Sequence, residues 1–555
     1  MAKLYENSNI SITNLDRIIL PKFQRGLVWS KQSKTDFVKT LHEGFPFGSI
    51  LVYPENIHDT SSKLLLLDGQ QRLSTIVDLQ NNPLDYFVPL HSEVLIEAAK
   101  NINSYLEEET EIDAKFLINI LSGDLSVLLP NWTDDLEISK NDKIEVRKIV
   151  NNINKEIKEF TNLDSLEIPI IKFLGDKSDL SRVFENLNKG GVSLTKYEIF
   201  NASWAHTEIL LPTQDENSEK VLDCIIENYE KKIEDSAFEI NDFSRDELKQ
   251  DRKITLAELG IGLGLFAQDL LPSLIPPHSK NAHSEIGFGL LGIATGVDNK
   301  KLGNLSEHAD FLNQNILEIL EKVANISKHL DATFSKFLKI PNPSGSVNYQ
   351  NGLSTSFKTL SYYAALWNED INSESFRQIL DNLIGYYIYD SLNNSWGSHG
   401  DTRLYEYYPK TKSRNYETPL DKSEILQAFI SWQNDRNAGI NFTPEVKALV
   451  AIHANLTYLA KSKFNGDKLE LEHIIPKKKI NLIEGTPKKI YGNSLGNCMY
   501  LIKTRNNGKK ENTLYTFAQK NPSEKEKIFK LVKESDYPSS ETFDHLEIYF
   551  GEKNF

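Results

Sequence analysis

Glu472 and His473 stand side by side in Leu471-Glu472-His473-Ile474-Ile475-Pro476. Leu495-Gly496-Asn497 follows, and then Arg505-Asn506-Asn507-Gly508-Lys509-Lys510-Glu511-Asn512. Hydrolysis of a phosphodiester needs an activated water and a cation to stabilise the leaving oxygen. A histidine near its ordinary pKa of about 6.5 can take the proton of that water. A carboxylate and an amide oxygen suit a hard cation such as magnesium. A Glu-His pair, a loop and an Asn-rich helix start supply all three residue types. The stretch from Lys461 to Asn512 carries twelve Lys/Arg against five Asp/Glu, in a chain whose net charge is −15. Such a local excess attracts phosphate. Lys477, Lys478, Lys479, Lys509 and Lys510 are its candidate DNA contacts.

A second constellation lies near the other end. Asp68-Gly69-Gln70-Gln71-Arg72-Leu73 follows an apolar run and opens a helix. Backbone N–H groups at a helix start hold anions, glycine lets the backbone approach a ligand closely, and arginine offers a two-pronged fork for phosphate. Gln24 and Arg25 lie upstream, before Trp29. The plain alternative is a tight turn with a helix cap. No Gly-x-x-x-x-Gly-Lys-Ser/Thr loop is present, so a conventional P-loop is unsupported.

The elements that must position these groups are legible in outline. Residues 48–53 and Leu64 to Leu67 read as strands, and Gln70 to Leu79 as a helix buried through Leu73, Ile76, Val77 and Leu79. Lys143 to Phe160 has an amphipathic helical pattern carried by Ile144, Val146, Ile149, Ile153 and Ile157. Leu166 to Leu174 reads as a strand whose Pro169 implies a sheet edge or a strand start. Residues 215 to 440 read as mostly helical, broken near Pro272–Ser279 and Pro341–Gly352. The fold class expected is α+β, mostly helical. Trp396 to Arg403 is a polar, glycine-rich loop that suits either an ordered connection or base stacking, the connection being favoured. Trp29, Trp204 and Cys498 read as core residues.

Length and composition bound the answer. At roughly 150 residues per domain, 555 residues suggest three or four domains. The apolar and charged fractions, 39% and 25%, are those of a globular chain rather than a disordered or collagenous one. No run approaches the roughly 20 apolar residues of a membrane span, and the N-terminus lacks a secretory h-region. Two cysteines, Cys224 and Cys498, exclude a disulfide framework and a cysteine zinc site as major features. A soluble cytoplasmic protein without a membrane partner is expected.

The C-terminal set resembles the HNH, or ββα-metal, nuclease motif. The resemblance implies that His473 is the general base, Glu472 a metal ligand, and Asn497 the residue that positions the loop holding His473. Asn506 is the first choice for the ligand on the following helix, and Asn507 stays open. The extra cysteine zinc pairs of some HNH proteins are missing. Pro21-x-Phe23-Gln24-Arg25-x-x-Val28-Trp29, the Asp-Gly-Gln-Gln-Arg motif, and Val183-Phe184-Glu185-Asn186-Leu187-Asn188-Lys189-Gly190-Gly191 occur in that order. Together they resemble the N-terminal domain of GmrSD-type modification-dependent (type IV) restriction enzymes. That family implies a ParB/sulfiredoxin-like α/β core and a nucleoside triphosphate site. By resemblance the site comprises Asp68, Gly69, Gln70, Gln71 and Arg72, with Gln24 and Arg25 beside them and Asn188 and Gly190 closing the pocket.

The layout expected is a nucleotide-binding core over 1–100, its helical extension over 101–214, a helical middle over 215–439 and a nuclease domain over 440–555. The function expected is a phage-defence DNA endonuclease. Its cofactors would be Mg2+ or Mn2+ and GTP, ATP or UTP, and its substrate modified phage DNA. A homo-oligomer or a defence partner protein is compatible with this reading. The alternative is an NTP-hydrolysing sensor or partner subunit whose C-terminal domain binds DNA without cutting it.

Overall fold

The computed structural model describes residues 4–543 except 23–26, 28, 57–58, 60, 108–109, 176–182, 184–203, 205–206, 277–281, 343–346, 437–438, 461–466, 478–491 and 511. The described chain is mostly helical, with a small mixed sheet near the N-terminus. It divides into two compact units. One comprises residues 1–203 and 226–248, the other 204–225 and 249–555. Each unit is therefore assembled from two separate stretches of chain.

The first unit is built on five strands in the order β1-β5-β3-β4-β2. They are β1 (Tyr5–Ser11), β2 (Ile18–Ile19), β3 (Ile50–Pro54), β4 (Leu64–Asp68) and β5 (Glu167–Phe173). β3 is buried along its whole length and β4 through its four leucines, which is what continuous apolar runs dictate. β5 runs antiparallel to β1 and parallel to β3, so it is not an edge strand. Its pairing with β3 begins at Ile170, one residue after Pro169. The missing N–H of Pro169 thus falls in the strand's first residues, where β1 is the partner. At the β2 edge, the 239–241 segment joins the sheet margin: Leu20 N–H donates to the Glu239 carbonyl (2.8 Å) and Asn241 N–H to the Leu20 carbonyl (2.8 Å).

Helix α1 (Lys31–His42) starts at a Ser30 side-chain cap, and α2 (Gln70–Asn81) follows β4 directly. Leu73, Ile76 and Leu79 of α2 are fully buried, as their spacing requires. The amphipathic helix further on spans Lys140–Phe160 and buries Val146, Val150, Ile153, Ile157 and Phe160. Ile144 is exposed instead, because it falls off the stripe that Val146, Val150 and Ile153 define.

In the second unit, helices Leu256–Leu270 and Ala282–Thr295 pack with their backbones almost touching. A Cβ on Gly264 would overlap the His283 carbonyl, and one on Gly287 the Gly260 carbonyl. Only glycine permits that approach. Around them lie Ala309–Leu338, Ser356–Leu366 and Glu374–Leu392, with a tyrosine-rich core of Tyr362, Tyr363, Tyr387, Tyr408 and Tyr416. Trp396 is buried, donates to Asp390 (2.9 Å) and carries the Arg403 guanidinium over its ring. That holds the 396–403 segment in place and leaves the indole no free face for a base. Trp204 is likewise buried, against Phe288. No described helix is long and apolar enough to cross a membrane.

Candidate functional site

The C-terminal constellation assembles on a hairpin and one short helix. The first hairpin strand, Leu469–His473, pairs antiparallel with the second, Cys498–Ile502, in the register Leu469↔Ile502 to His473↔Cys498. Helix Lys503–Lys509 follows without a break. The succession is strand, strand, helix, with His473 ending the first strand.

Alternation along a strand sends successive side chains to opposite faces. Leu469, Leu471 and His473 share one face, Glu470 and Glu472 the other. The short helix lies against the glutamate face. Asn506 Nδ2 donates to Glu470 Oε2 (3.2 Å), and Lys509 Nζ lies 3.4 Å from Glu472 Oε1. Asn506 and Lys509 are three positions apart, and Glu470 and Glu472 are two apart. One helical step therefore matches one strand repeat, and two rungs form. Glu470 is a member that the motif spacing does not mark. The signal available was its alternation with Glu472.

His473 is buried, with only 7% of its surface exposed. Its Nε2 lies 2.8 Å from the Ile440 carbonyl. A carbonyl only accepts, so Nε2 is the protonated nitrogen and Nδ1 keeps its lone pair. The ring stacks on Phe442, with centroids 3.9 Å apart and planes 20° from parallel. Burial is the main cause that pushes the imidazole below its ordinary value, which favours the neutral base; the Ile440 hydrogen bond opposes it. Asn497 is buried as well. Its Oδ1 accepts from Ile475 N–H (2.7 Å), its Nδ2 donates to the Gly492 carbonyl (2.8 Å), and its backbone carbonyl accepts from Ile474 N–H (2.9 Å). One asparagine thus ties both residues after His473 to the turn that leads into the second strand. Cys498 is buried behind them, and burial pushes its thiol up to about 12, so it is protonated and inert.

The remaining candidates separate by exposure. Asn506 is half-buried against the hairpin, whereas Asn507 is exposed. Lys477 is exposed and donates to Asn441 Oδ1 (2.9 Å), and Lys510 is exposed just beyond the helix. Lys478 and Lys479 lie outside the described residues. Lys509 is corrected: with 0% of its side chain exposed it cannot reach a DNA backbone, and it serves Glu472 instead.

Glu470, Glu472 and Asn506 offer oxygen donors from two elements that face each other. Among the described residues no group of three or more His, Cys, Asp or Glu is gathered at metal-binding distance. The donor set therefore suits a cation held by one or two carboxylates, an amide and several waters, the usual preference of Mg2+. It does not suit a zinc cage.

In the first unit, Asp68 ends β4 and Gly69 turns the chain at φ +100° before α2. A Cβ on Gly69 would collide with Ile50. Arg72 Nη2 donates to Asp68 Oδ2 (2.9 Å), and its guanidinium lies so close over Gly48 that a Cβ there would sit 2.7 Å from Nη1. Gln71 Oε1 accepts from Trp29 N–H (3.0 Å), which ties the motif to the segment that follows Gln24 and Arg25. Gln70 is 5% exposed and its Oε1 has no hydrogen-bond partner. Gln24, Arg25, Asn188 and Gly190 lie outside the described residues.

Among curated proteins no match to the chain is found. Residues 1–205 match the family model of the GmrSD restriction endonuclease N-terminal domain.

Proposed function

We propose that this chain is a restriction endonuclease of phage defence, with a metal-dependent DNA-cutting site on the 469–509 hairpin and helix and a nucleoside triphosphate site at Asp68–Arg72. The observation that carries the reading is a fixed imidazole, His473, ending the strand whose opposite face carries Glu470 and Glu472 against Asn506 and Lys509, on a strand-strand-helix frame. The N-terminal family match supports the restriction role.

The chemistry follows from the chain's own groups. His473 donates through Nε2 to Ile440, which leaves Nδ1 as the nitrogen that would take a proton from a water. The water gives up its proton there as its oxygen bonds the phosphorus; the P–O bond to the departing strand breaks, and the departing oxygen takes a proton from solvent. Asn497 keeps the loop after His473 in register, and Phe442 holds the ring plane. Glu472, Asn506 and Glu470 would hold the cation. Mg2+ or Mn2+ bound there supplies charge stabilisation for the pentavalent phosphorus and the leaving oxygen. Lys477 and Lys510 face solvent and can meet the DNA backbone.

At the N-terminal site, α2 opens with backbone N–H groups behind a glycine turn, and Arg72 is already held in place by Asp68. That arrangement supports triphosphate binding. In the reading proposed, nucleotide turnover at Arg72 licenses cutting of modified DNA.

The test is cleavage of modified phage DNA and of matched unmodified DNA, with Mg2+ or Mn2+, with and without nucleotide, by wild type and His473→Ala. A positioned general base contributes about 10²–10⁴-fold, so His473→Ala should lose at least about a hundredfold. Unchanged cutting would sink the mechanism. No cutting by wild type would favour a nucleotide sensor.

A further inference from the structure

Lys509 occupies a place that the nuclease reading does not use. It sits on the inner side of the short helix with none of its side chain exposed, and its Nζ lies 3.4 Å from Glu472 Oε1. Glu472 itself keeps a fifth of its side-chain surface open. An ammonium group with no route to water keeps its counter-charge, because an unbalanced buried charge is several kcal/mol unfavourable. A carboxylate has two oxygens. One held from the interior leaves the other for a ligand arriving from the exposed side.

We propose that Lys509 is a positioning residue for Glu472: its buried ammonium fixes one carboxylate oxygen and so aims the other at the metal ion. This rests on the metal-dependent reading of the site. It adds a role for a residue that touches neither DNA nor the reacting atoms. The helix turn that carries Lys509 also carries Asn506, one rung away on Glu470. The same short element would therefore supply one ligand and orient another. Groups that orient metal ligands typically contribute about 10–100-fold to metal affinity.

The experiment is Mn2+ titration of the full chain, read by the loss of the free-ion electron paramagnetic resonance signal, with no DNA present. Wild type, Lys509→Met, Lys509→Arg and Glu472→Gln are compared, and thermal melting of each metal-free protein reports folding. Lys509→Met should bind Mn2+ at least about tenfold more weakly. Lys509→Arg should recover part of that loss, and cutting by the Met variant should return at high Mn2+. Affinity in a folded Lys509→Met that equals or exceeds wild type overturns the proposal and leaves the nuclease reading intact. Wild type that binds no Mn2+, indistinguishable from Glu472→Gln, overturns the metal-dependent reading itself and the proposal with it. Should Lys509→Met fail to fold, Lys509→Gln carries the same test, since it keeps a hydrogen-bonding group and removes the charge.

Discussion

Replacing Lys358 by methionine should stabilise this protein at neutral and acid pH. Lys358 lies on helix Ser356–Leu366 and is 1% exposed. Its Nζ donates to the Tyr387 carbonyl (3.1 Å) and to the Ser391 hydroxyl, 4.7 Å from the centre of the Tyr387 ring. Two influences oppose each other. Burial pushes the ammonium down from 10.5 to about 7, and Asp390 pulls it back up. Burial prevails because the Asp390 charge is already shared with Arg403 (3.3 Å) and Trp396 (2.9 Å). The folded value lies below the unfolded one, so between about pH 7 and 10.5 the unfolded chain holds a proton that the folded chain has released. Stability then rises with pH across that window, and the full penalty applies below it. At about 1.4 kcal/mol per pH unit the penalty reaches ~5 kcal/mol. Lys358→Met removes it and forfeits two hydrogen bonds worth about 1 kcal/mol each. The net gain is ~3 kcal/mol at pH 6, or about 5 °C in melting temperature for a unit of this size. Differential scanning fluorimetry from pH 6 to 9 would read both proteins, and the gap should narrow as pH rises. A variant that melts below wild type at pH 6, or a gap that stays constant to pH 9, would refute the reasoning.

Three further outcomes are expected. Asn497→Ala leaves Ile475 N–H and the Gly492 carbonyl without their partner, which should lower stability by about 2–4 kcal/mol and remove cutting in a nicking assay. Gly69→Ala forces a side chain into φ +100° against Ile50; a loss of about 1–3 kcal/mol should appear as a lower melting temperature, and nucleotide binding by fluorescent-analogue titration should weaken. Arg72→Ala should abolish phosphate release from nucleoside triphosphates while leaving DNA-independent Mn2+ binding unchanged. Equal hydrolysis by this variant would remove the N-terminal site from the mechanism.

How much of this was legible beforehand depends on which force sets each element. β4 and α2 follow from Leu64–Leu67 and from the 73, 76, 79 spacing, because burial alone dictates them. β1 was not readable. Its sequence, Tyr-Glu-Asn-Ser-Asn-Ile-Ser, buries little beyond Ile10 and is held by seven-residue pairing with β5, a long-range contact that leaves no local periodicity. In the C-terminal site the residue types and their order were readable, as were the strand end at His473 and the helix bearing Asn506. The partners were not. Ile440 and Phe442, which fix the imidazole, lie some thirty residues upstream and carry no motif. Lys509 reads as a solvated basic residue in any one-dimensional view, and only the packing of the helix on the glutamate face makes it internal.

The assembly of the first unit from two stretches of chain has a consequence for synthesis. A ribosome releases the chain from the N-terminus, yet the sheet margin at Leu20 is completed by the Glu239 and Asn241 backbones, more than two hundred residues later. Until that segment emerges, the β2 edge presents unpaired N–H and C=O groups, the feature that invites edge-to-edge aggregation. A fragment ending at residue 205 would keep the whole family-matched region and still retain this open margin, whereas one ending at 248 would close it. Nascent chains stalled between those two lengths should be the ones that chaperones hold.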